Sequence, residues 1–170
     1  MQTRHTVIDS PLSELTLVAN GDALTGVYFR HQWHGPTADA LGEYVEPESD
    51  ELFRRVAHQL QDYLTGKRTP FDLPIALVGE PHLRRVWNLL NDIAYGYTTT
   101  YAELAAKLAD GTTAYEVGQA VGRNPLSIIV PCHRVVGKNG ALTGYAGGLK
   151  RKRFLLDLEE PVPAAADGLF

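Results

Sequence analysis

Two capping-box signatures in close succession constrain the fold of this chain more than any other feature. In Thr100-x-x-Glu103 and Thr113-x-x-Glu116, the spacing lets both side chains bond free backbone N–H groups at a helix start. The predicted helices, "TYAELAAKLA" and "TAYEVGQAVG", are joined by the turn "DGTT". Such a pair indicates a helix-turn-helix whose second helix can enter a DNA groove, although many helical hairpins only pack a core.

The N-terminal part of the chain has the pattern of short strands instead. "HTVIDSPLSELTLVANGDALTGVYF" alternates between apolar and polar residues and is broken at Pro11 and Gly21, which predicts a β-meander. Residues 32–49 predict a loop, and apolar residues at every fourth position predict an amphipathic helix over residues 48–64. Residues 70–79 predict another extended segment.

The pattern changes near Gly79, where we place a domain boundary. We expect an N-terminal domain over residues 1–78, a second domain over 79–160 and a tail over 161–170. "PHLRRVWNLLNDIAYG" predicts a core helix over 81–96, whose apolar face consists of Leu83, Val86, Trp87, Leu90 and Ala94. In the second hairpin helix the expected inner stripe is Ala114, Val117, Gly118 and Val121. An apolar strand is expected before the cysteine, and "LKRKRFLLDLEE" predicts a final helix.

Cys132 is the single cysteine of the 170 residues. One cysteine cannot form an internal disulfide, and it cannot supply the usual multi-cysteine zinc site. The first thirty residues lack a signal-peptide pattern, and no apolar stretch approaches the roughly 20 residues of a membrane helix. We therefore expect a cytoplasmic protein with no metal, no cofactor and no membrane contact.

The charges are distributed unevenly along the chain, although the net charge is only -4. Residues 117–156 contain no Asp or Glu and seven basic residues: Arg123, Arg134, Lys138, Lys150, Arg151, Lys152 and Arg153. The remainder of the chain is strongly acidic. This split predicts a face for a polyanion, with a solvated basic helix as the alternative.

The residues around Cys132 suggest that its thiol reacts. A thiol reacts as the thiolate, so a nearby base is needed at neutral pH. His133 could take the proton directly or through a water, and a carboxylate such as Glu159 could fix its tautomer. A lone cysteine is more often buried and inert. Pro, His and Arg neighbours at the end of an apolar strand favour an exposed nucleophile.

The motif "VPCHRVVG", with "GRNP" before it and "GALTGYAGGLKRKRFLLDLE" after it, closely resembles the O6-alkylguanine-DNA alkyltransferases, or methylated-DNA–protein-cysteine methyltransferases. The resemblance is strong over residues 81–160 and holds in outline before them. It implies an α/β fold, with an N-terminal RNase H-like domain and a C-terminal winged-helix-like (helix-turn-helix) domain that carries the active site.

The resemblance also implies direct repair of DNA. An alkyl group would move irreversibly from O6 of guanine in duplex DNA to Cys132, so that each molecule acts once. The implied partner is double-stranded DNA containing O6-alkylguanine. We expect a monomer, and cooperative binding along DNA remains an alternative.

Catalytic roles follow from the resemblance residue by residue. Cys132 would be the acceptor, His133 the water-mediated base and Glu159 the residue that orients His133. Asn124 would lie at a hinge within hydrogen-bond reach of this network. Tyr101 would donate to the ring N3 of the flipped base.

Substrate and DNA contacts follow in the same way. Backbone groups of Cys132, Val135 and Ala146 would read the guanine edge, Tyr145 would shape the pocket, and Lys152 would assist polarisation. Gly147, with Gly144 and Gly148, would allow close approach of backbone to a planar ligand. The expected DNA-contacting residues are Ala114, Tyr115, Gly118, Gln119, Arg123 and Arg134.

The second hairpin helix departs from the family pattern. Relatives carry "ARAVG", with an arginine that fills the gap left by the flipped nucleotide, whereas this chain has "AYEVG". Tyr115 can stack as an uncharged wedge. Glu116 has the wrong sign for phosphate contact unless its capping box occupies it. Ala146, where some relatives have Ser, is a lighter departure.

Three other functions remain as alternatives. A lesion-binding sensor with weak or no transfer would follow from the altered finger at Tyr115. A transcriptional regulator would use the hairpin helices and leave Cys132 structural. A cysteine hydrolase would turn over, which separates it from a single-use acceptor.

Overall fold

The N-terminal domain is a four-stranded sheet with one long helix. The computed structural model describes residues 2–67 and 70–160, so the predicted tail lies outside the described residues. Strands β1 (Thr3–Ile8), β2 (Leu15–Asn20) and β3 (Ala23–Phe29) form an antiparallel meander. The short β4 (Glu43–Tyr44) pairs parallel to β1, giving the order β3-β2-β1-β4. The predicted meander is thus confirmed.

Helix α1 (Glu51–Leu64) shares the core of the sheet. The side chain of Asp50 caps it by accepting a hydrogen bond from the Phe53 N–H at 3.1 Å. The helix begins later than predicted because residues 47–49 form a separate helical turn. The predicted apolar face is buried as expected, through Leu52, Val56, Leu60 and Leu64.

The C-terminal domain is mainly helical. Its elements are α2 (Pro81–Leu90), β5 (Thr99–Thr100), α3 (Tyr101–Leu108), α4 (Ala114–Gly122), β6 (Val135–Val136) and α5 (Leu149–Glu159). Strands β5 and β6 pair in parallel. Helix α2 is shorter than predicted, because its last turn tightens into bonds such as Ile93 N–H to Leu90 O at 3.1 Å. Ala94 therefore lies exposed beyond the helix.

The buried face of α4 differs from the predicted apolar stripe at two positions: Ala114 is absent from it, and Ala120 belongs to it. Val117 and Val121 are buried as expected, and Ala120 joins them. The Trp87 indole N–H donates to the Ala120 carbonyl at 2.8 Å, which fixes α4 against α2. Ala114 is exposed, since it begins the helix at the protein surface. Its placement in the inner stripe was wrong.

The strand expected before Cys132 is absent from the described residues. Residues 126–130 fold into a compact turn, with Val130 N–H bonded to Leu126 O at 2.9 Å and Ile128 at φ 73°. A β-branched residue in the left-handed region is strained, so the surroundings must hold it. Apolar character alone does not distinguish a buried turn from a buried strand.

The edge of the N-terminal sheet holds this turn. The Val27 N–H of β3 donates to Pro125 O at 2.8 Å, and Ser127 N–H donates to Val27 O at 3.2 Å. Residues 70–79, predicted to be extended, add a further bond from Leu24 N–H to Pro74 O at 2.8 Å. The outer edge of β3 is thereby covered by two segments of the chain.

No helix in the described ranges combines the length and apolar character required to traverse a bilayer.

Candidate active site

Cys132 begins a single helical turn, Cys132–Arg134, immediately after the compact turn. Asn124 clamps the preceding segment, because its Nδ2 donates to Val130 O at 2.8 Å and its Oδ1 accepts from Leu126 N–H at 3.0 Å. Cys132 is 3% exposed. The expected exposure at a strand edge was wrong, since the turn folds the sulfur inward.

His133 and Glu159 form the pair that the sequence suggested. His133 Nε2 lies 2.9 Å from Glu159 Oε2, and both residues are buried. With Nε2–H donating to the carboxylate, Nδ1 is the acceptor atom of a neutral imidazole. Within the described part of the chain, this buried Nδ1 has no hydrogen-bond partner. It is therefore free to accept a proton.

The guanidinium of Arg134 faces Glu159. Its Nε donates to Glu159 Oε1 at 2.7 Å, and its Nη2 donates to Glu159 Oε2 at 2.8 Å. Its Nη1 donates to Ile93 O at 2.6 Å. A guanidinium with all three groups bonded inside the protein serves Glu159. The predicted contact of Arg134 with DNA stays a prediction.

Tyr63 is a site residue that the sequence analysis missed. It lies near the end of α1 in the N-terminal domain, and its hydroxyl donates to Glu159 Oε2. The same hydroxyl is 3.5 Å from His133 Nε2. A separation of 96 residues along the chain hides this contact from any reading of local pattern.

The ionised state of Glu159 is strongly stabilised. Burial opposes ionisation, but hydrogen bonds from His133, Arg134 and Tyr63 outweigh it and lower the pKa of Glu159 to about 2. Burial lowers the pKa of His133, and the charges of Arg134 and Lys152 add to this effect against the pull of Glu159. His133 is therefore neutral near pH 7, the form that can act as a base.

The thiol of Cys132 is protonated in the resting protein. Burial raises its pKa, although Asn124 and the positive charge of Lys152 act in the opposite direction. Burial lowers the pKa of Lys152 to about 8, and the nearby sulfur opposes this shift. The site holds a thiol whose ionisation requires a base.

Lys152 is fully buried and ties two segments of the site together. Its ammonium donates to Val135 O at 2.6 Å and to Gly144 O at 2.9 Å. The first bond engages the carbonyl of a residue expected to read the guanine edge. Lys152 thus fixes the spacing between β6 and the glycine-rich loop.

A cleft of about 400 Å³ is lined in part by Gly144, whose carbonyl accepts a hydrogen bond from Lys152. Tyr101, Tyr145 and Ala146 line it, as expected for substrate contacts, and so does Trp33 of the N-terminal domain. A thiolate charge on Cys132 is felt by the buried Tyr145 phenol, whose pKa is raised mainly by burial. Tyr145 thus interacts both with the cleft and with Cys132. The cleft is lined by Trp33, His34, Tyr101, Gly118, Val121, Gly122, Gly144, Tyr145, Ala146, Gly148 and Leu149.

Gly147 serves the contact between the domains. A Cβ at this position would stand 2.5 Å from the ring of Phe29, so only glycine allows the ring to pack there. The neighbouring Ala146 carbonyl accepts the Trp33 N–H at 2.9 Å. Gly147 was expected to allow close approach of the backbone to a planar ligand. In the structure the planar group against Gly147 is the Phe29 ring.

The outer face of α4 is open. Tyr115 is 75% exposed, and Gln119 and Arg123 are exposed as well. Glu116 completes the second predicted capping box, accepting from Thr113 N–H at 2.9 Å. Its carboxylate is therefore occupied at the helix start, where the helix dipole favours a negative charge.

Only half of the first predicted capping box forms. Thr100 caps α3 through the Glu103 N–H, but Glu103 accepts from the Thr100 hydroxyl at 3.1 Å in place of its N–H.

The basic surface is smaller than its sequence suggested. Arg134 and Lys152 point inward, and Arg151 donates to Leu12 O and Ser13 Oγ of the N-terminal domain. Its guanidinium also lies 4.8 Å from the centre of the Phe29 ring. The exposed basic residues of this stretch are Arg123, Lys138, Lys150 and Arg153.

The fold and the site together define a helix-turn-helix domain that carries a buried cysteine, histidine and carboxylate and is joined to an α/β domain. Two family models match this arrangement. The model described as "6-O-methylguanine DNA methyltransferase, ribonuclease-like domain" matches residues 3–77, and that of the "DNA binding domain" matches residues 81–161. The chain belongs to the 6-O-methylguanine DNA methyltransferase family. The predicted fold class and transferase class are confirmed.

Relatives resemble the chain over most of its length. The methylated-DNA–protein-cysteine methyltransferase of Mycobacterium tuberculosis H37Rv is 41% identical over 156 residues, covering 92% of each chain. The constitutive one of Bacillus subtilis 168 is 38% identical, covering 91% of this chain and 94% of the relative. The structure of M. tuberculosis OGT in complex with DNA matches with a TM-score of 0.82 at 40% identity, over 92% of each chain. Binding to DNA is thus supported by both kinds of similarity.

Proposed function

We propose that this protein repairs DNA directly by moving an alkyl group from O6 of guanine to the sulfur of Cys132, once per molecule. The supporting observation is the hydrogen bond between His133 Nε2 and Glu159, which leaves Nδ1 of a neutral imidazole as a buried proton acceptor. A base is needed at this place because the neighbouring thiol is protonated.

The reaction conserves atoms and charge. The thiol proton moves to His133 Nδ1 through a water, and the sulfur attacks the alkyl carbon. A C–S bond forms as the C–O6 bond breaks, and the bonding electrons pass into the guanine ring. The Tyr101 hydroxyl donates a hydrogen bond to ring N3 and stabilises the departing guanine anion, which takes its proton from water, while protonated His133 returns the thiol proton to water. Glu159 stabilises the imidazolium while it lasts.

The polar groups around Cys132 support a ligand in this place. Besides His133 Nδ1, the buried hydroxyls of Ser127 and Tyr145 make no hydrogen bond of normal geometry among the described residues, although Tyr145 lies close enough to Ser127 and Cys132 to interact with both. Buried polar atoms are normally bonded, so such a group indicates a functional site. An extruded base and its water would supply the missing polar contacts.

The DNA would be engaged by α4. Extruding a base from a duplex costs a few kcal/mol and needs both a pocket and a wedge. Tyr115 is the exposed aromatic side chain on this helix and would stack in the gap, while Gln119 and Arg123 lie on the same open surface. The small residues Ala114 and Gly118 would let the helix approach a narrow minor groove closely.

A second function, binding of the lesion with slow or no transfer, is favoured by the same helix. Tyr115 brings no positive charge, and Arg134 faces Glu159 instead of the surface. Weak extrusion would leave the site recognising DNA without completing the reaction.

Intact-protein mass spectrometry distinguishes the two functions. The protein is mixed with duplex DNA containing one O6-methylguanine, with the unmodified duplex and the Cys132→Ser variant as controls. We expect a gain of one methyl group, which peptide mapping locates on Cys132, saturating at one per protein. Tight binding of the lesion without a mass gain would contradict transfer and support the sensor.

A further inference from the structure

The N-terminal domain reaches the base of the proposed reaction through Tyr63. Its hydroxyl donates to Glu159 Oε2, the same oxygen that accepts His133 Nε2 at 2.9 Å and Arg134 at 2.8 Å. Three donors therefore share one carboxylate oxygen. Only Tyr63 among them comes from the N-terminal domain.

The position of the Tyr63 hydroxyl is set by rigid packing. The side chain is 3% exposed, and its ring lies 5.3 Å from that of Phe71 and 6.2 Å from that of Tyr95 between centroids. Leu60 and Leu64 of the same helix are buried beside it. Because a buried aromatic ring has few rotamers available, the phenol cannot follow Glu159 if the carboxylate moves.

The phenol is a permanent donor. Burial, and next to it the negative charge of Glu159, raise the pKa of Tyr63 far above its ordinary value. A phenol that never ionises can only donate to a carboxylate. Donors that share one acceptor oxygen compete for its negative charge. The hydrogen bond from Tyr63 to Glu159 Oε2 therefore weakens the interaction of that oxygen with the His133 imidazole.

We propose that Tyr63 is a positioning residue through which the N-terminal domain holds Glu159 and limits how strongly it pulls on His133. The inference rests on the proposed function, because it concerns the same base. The charged groups facing His133 are Glu159 and Arg134, with Lys152 farther along the same cluster. Tyr63 acts on the first of these.

Removing the hydroxyl has a defined sign. In Tyr63→Phe, Glu159 Oε2 has one donor fewer and stabilises protonated His133 better, so the pKa of His133 rises. Transfer needs neutral His133, hence the rate is lost at a higher pH than in the unaltered protein. A rise of about half a unit lowers the rate roughly threefold well below the pKa and leaves the high-pH rate nearly unchanged.

Two measurements test the inference, on the full chain with Tyr63→Phe and with Tyr28→Phe as the matched control. Tyr28 is a half-buried tyrosine of β3 outside the Glu159 cluster. The first measurement is the single-turnover rate with free O6-methylguanine base, which needs no DNA contact, from roughly pH 4.5 to 8.5, because burial lowers the pKa of His133 below its ordinary value. We expect the acid limb to move to higher pH in Tyr63→Phe only. Equal profiles in all three proteins would overturn the inference.

The second measurement does not depend on transfer. NMR titration of the His133 imidazole, identified by its loss in a His133→Ala variant, gives its pKa in each protein. An upward shift in Tyr63→Phe supports the role of Tyr63 even if the protein transfers nothing, in which case only the proposed function fails. An unchanged or lowered His133 pKa contradicts the inference even if transfer is normal.

Discussion

The N-terminal domain contributes backbone groups, aromatic rings and one phenol to the site, whereas the C-terminal domain supplies every protein atom at which the proposed reaction makes or breaks a bond. The edge of β3 holds the turn before Cys132, and Phe29 packs on Gly147. Cys132, His133 and Glu159 all lie in the C-terminal domain. The difference teaches that reactivity and its geometric support are encoded in separate parts of the chain.

Substituting the acceptor should separate the two contributions most completely. In Cys132→Ser a much less acidic hydroxyl replaces the thiol, so we expect transfer to fall by more than about a thousandfold. DNA binding should be retained, because the sulfur is buried and does not face the duplex. Gel-shift affinity and mass spectrometry measure the two effects. Remaining methyl transfer to the variant would show a second acceptor in the chain.

Removing the charge of Glu159 should have the next largest effect. In Glu159→Gln the mostly buried Arg134 loses its counter-charge, and His133 loses the carboxylate that orients it and stabilises its protonated form. We expect transfer to slow by about 10- to 100-fold and the free energy of unfolding to fall by roughly 3 kcal/mol. Chemical denaturation and single-turnover rates measure these changes. Unchanged rates would refute the role of the pair.

The stabilisation by Glu159 also has a defined pH dependence. Its pKa is about 2 in the folded chain against an ordinary 4.5, so its contribution is fully present above pH 4.5 and is lost as the pH falls toward 2. In Glu159→Gln the free energy of unfolding should therefore fall less between pH 4.5 and 2 than it does in the unaltered protein.

Substituting Tyr115 should affect DNA and leave the chemistry intact. For Tyr115→Ala we expect about tenfold slower repair of duplex DNA, because a stacking contact is worth about 1–3 kcal/mol, and an unchanged rate with the free base. Tyr97→Ala, which alters another exposed tyrosine outside α4, is the control. A similar loss with both substrates would show that Tyr115 is not a wedge.

The smallest effect is expected at the start of α1. Asp50→Ala removes the N-cap of α1 and the salt-bridge partner of Arg4. We expect the free energy of unfolding to fall by about 1 kcal/mol. The transfer rate should be unchanged under conditions in which the variant is fully folded. Thermal unfolding measures the loss, with Ser49→Ala as a neighbouring control. A slower transfer by fully folded Asp50→Ala would show that the N-terminal domain does more than support the site.

Local sequence patterns predicted most of the helices and strands. The residues around Cys132 and their resemblance to a known family predicted the roles of Cys132, His133 and Glu159. Capping boxes and apolar spacing gave α1, α3 and α4 because these signals lie within a few residues of each other. The compact turn before Cys132 was missed, since its shape depends on β3 and on Asn124. Tyr63 and Trp33 were missed because only the packing of the two domains brings them to the site. The inward course of Arg134 and Lys152 was hidden for the same reason, as charge in a sequence carries no direction.

The burial of Cys132 has a consequence for how long its thiol survives after the protein is synthesised. Oxidants and small electrophiles consume thiols in proportion to their thiolate fraction and accessibility. A sulfur that is 3% exposed and protonated at rest reacts slowly with both. If each molecule acts once, as the proposed function implies, this slow side reaction keeps the acceptor chemically competent until its substrate arrives.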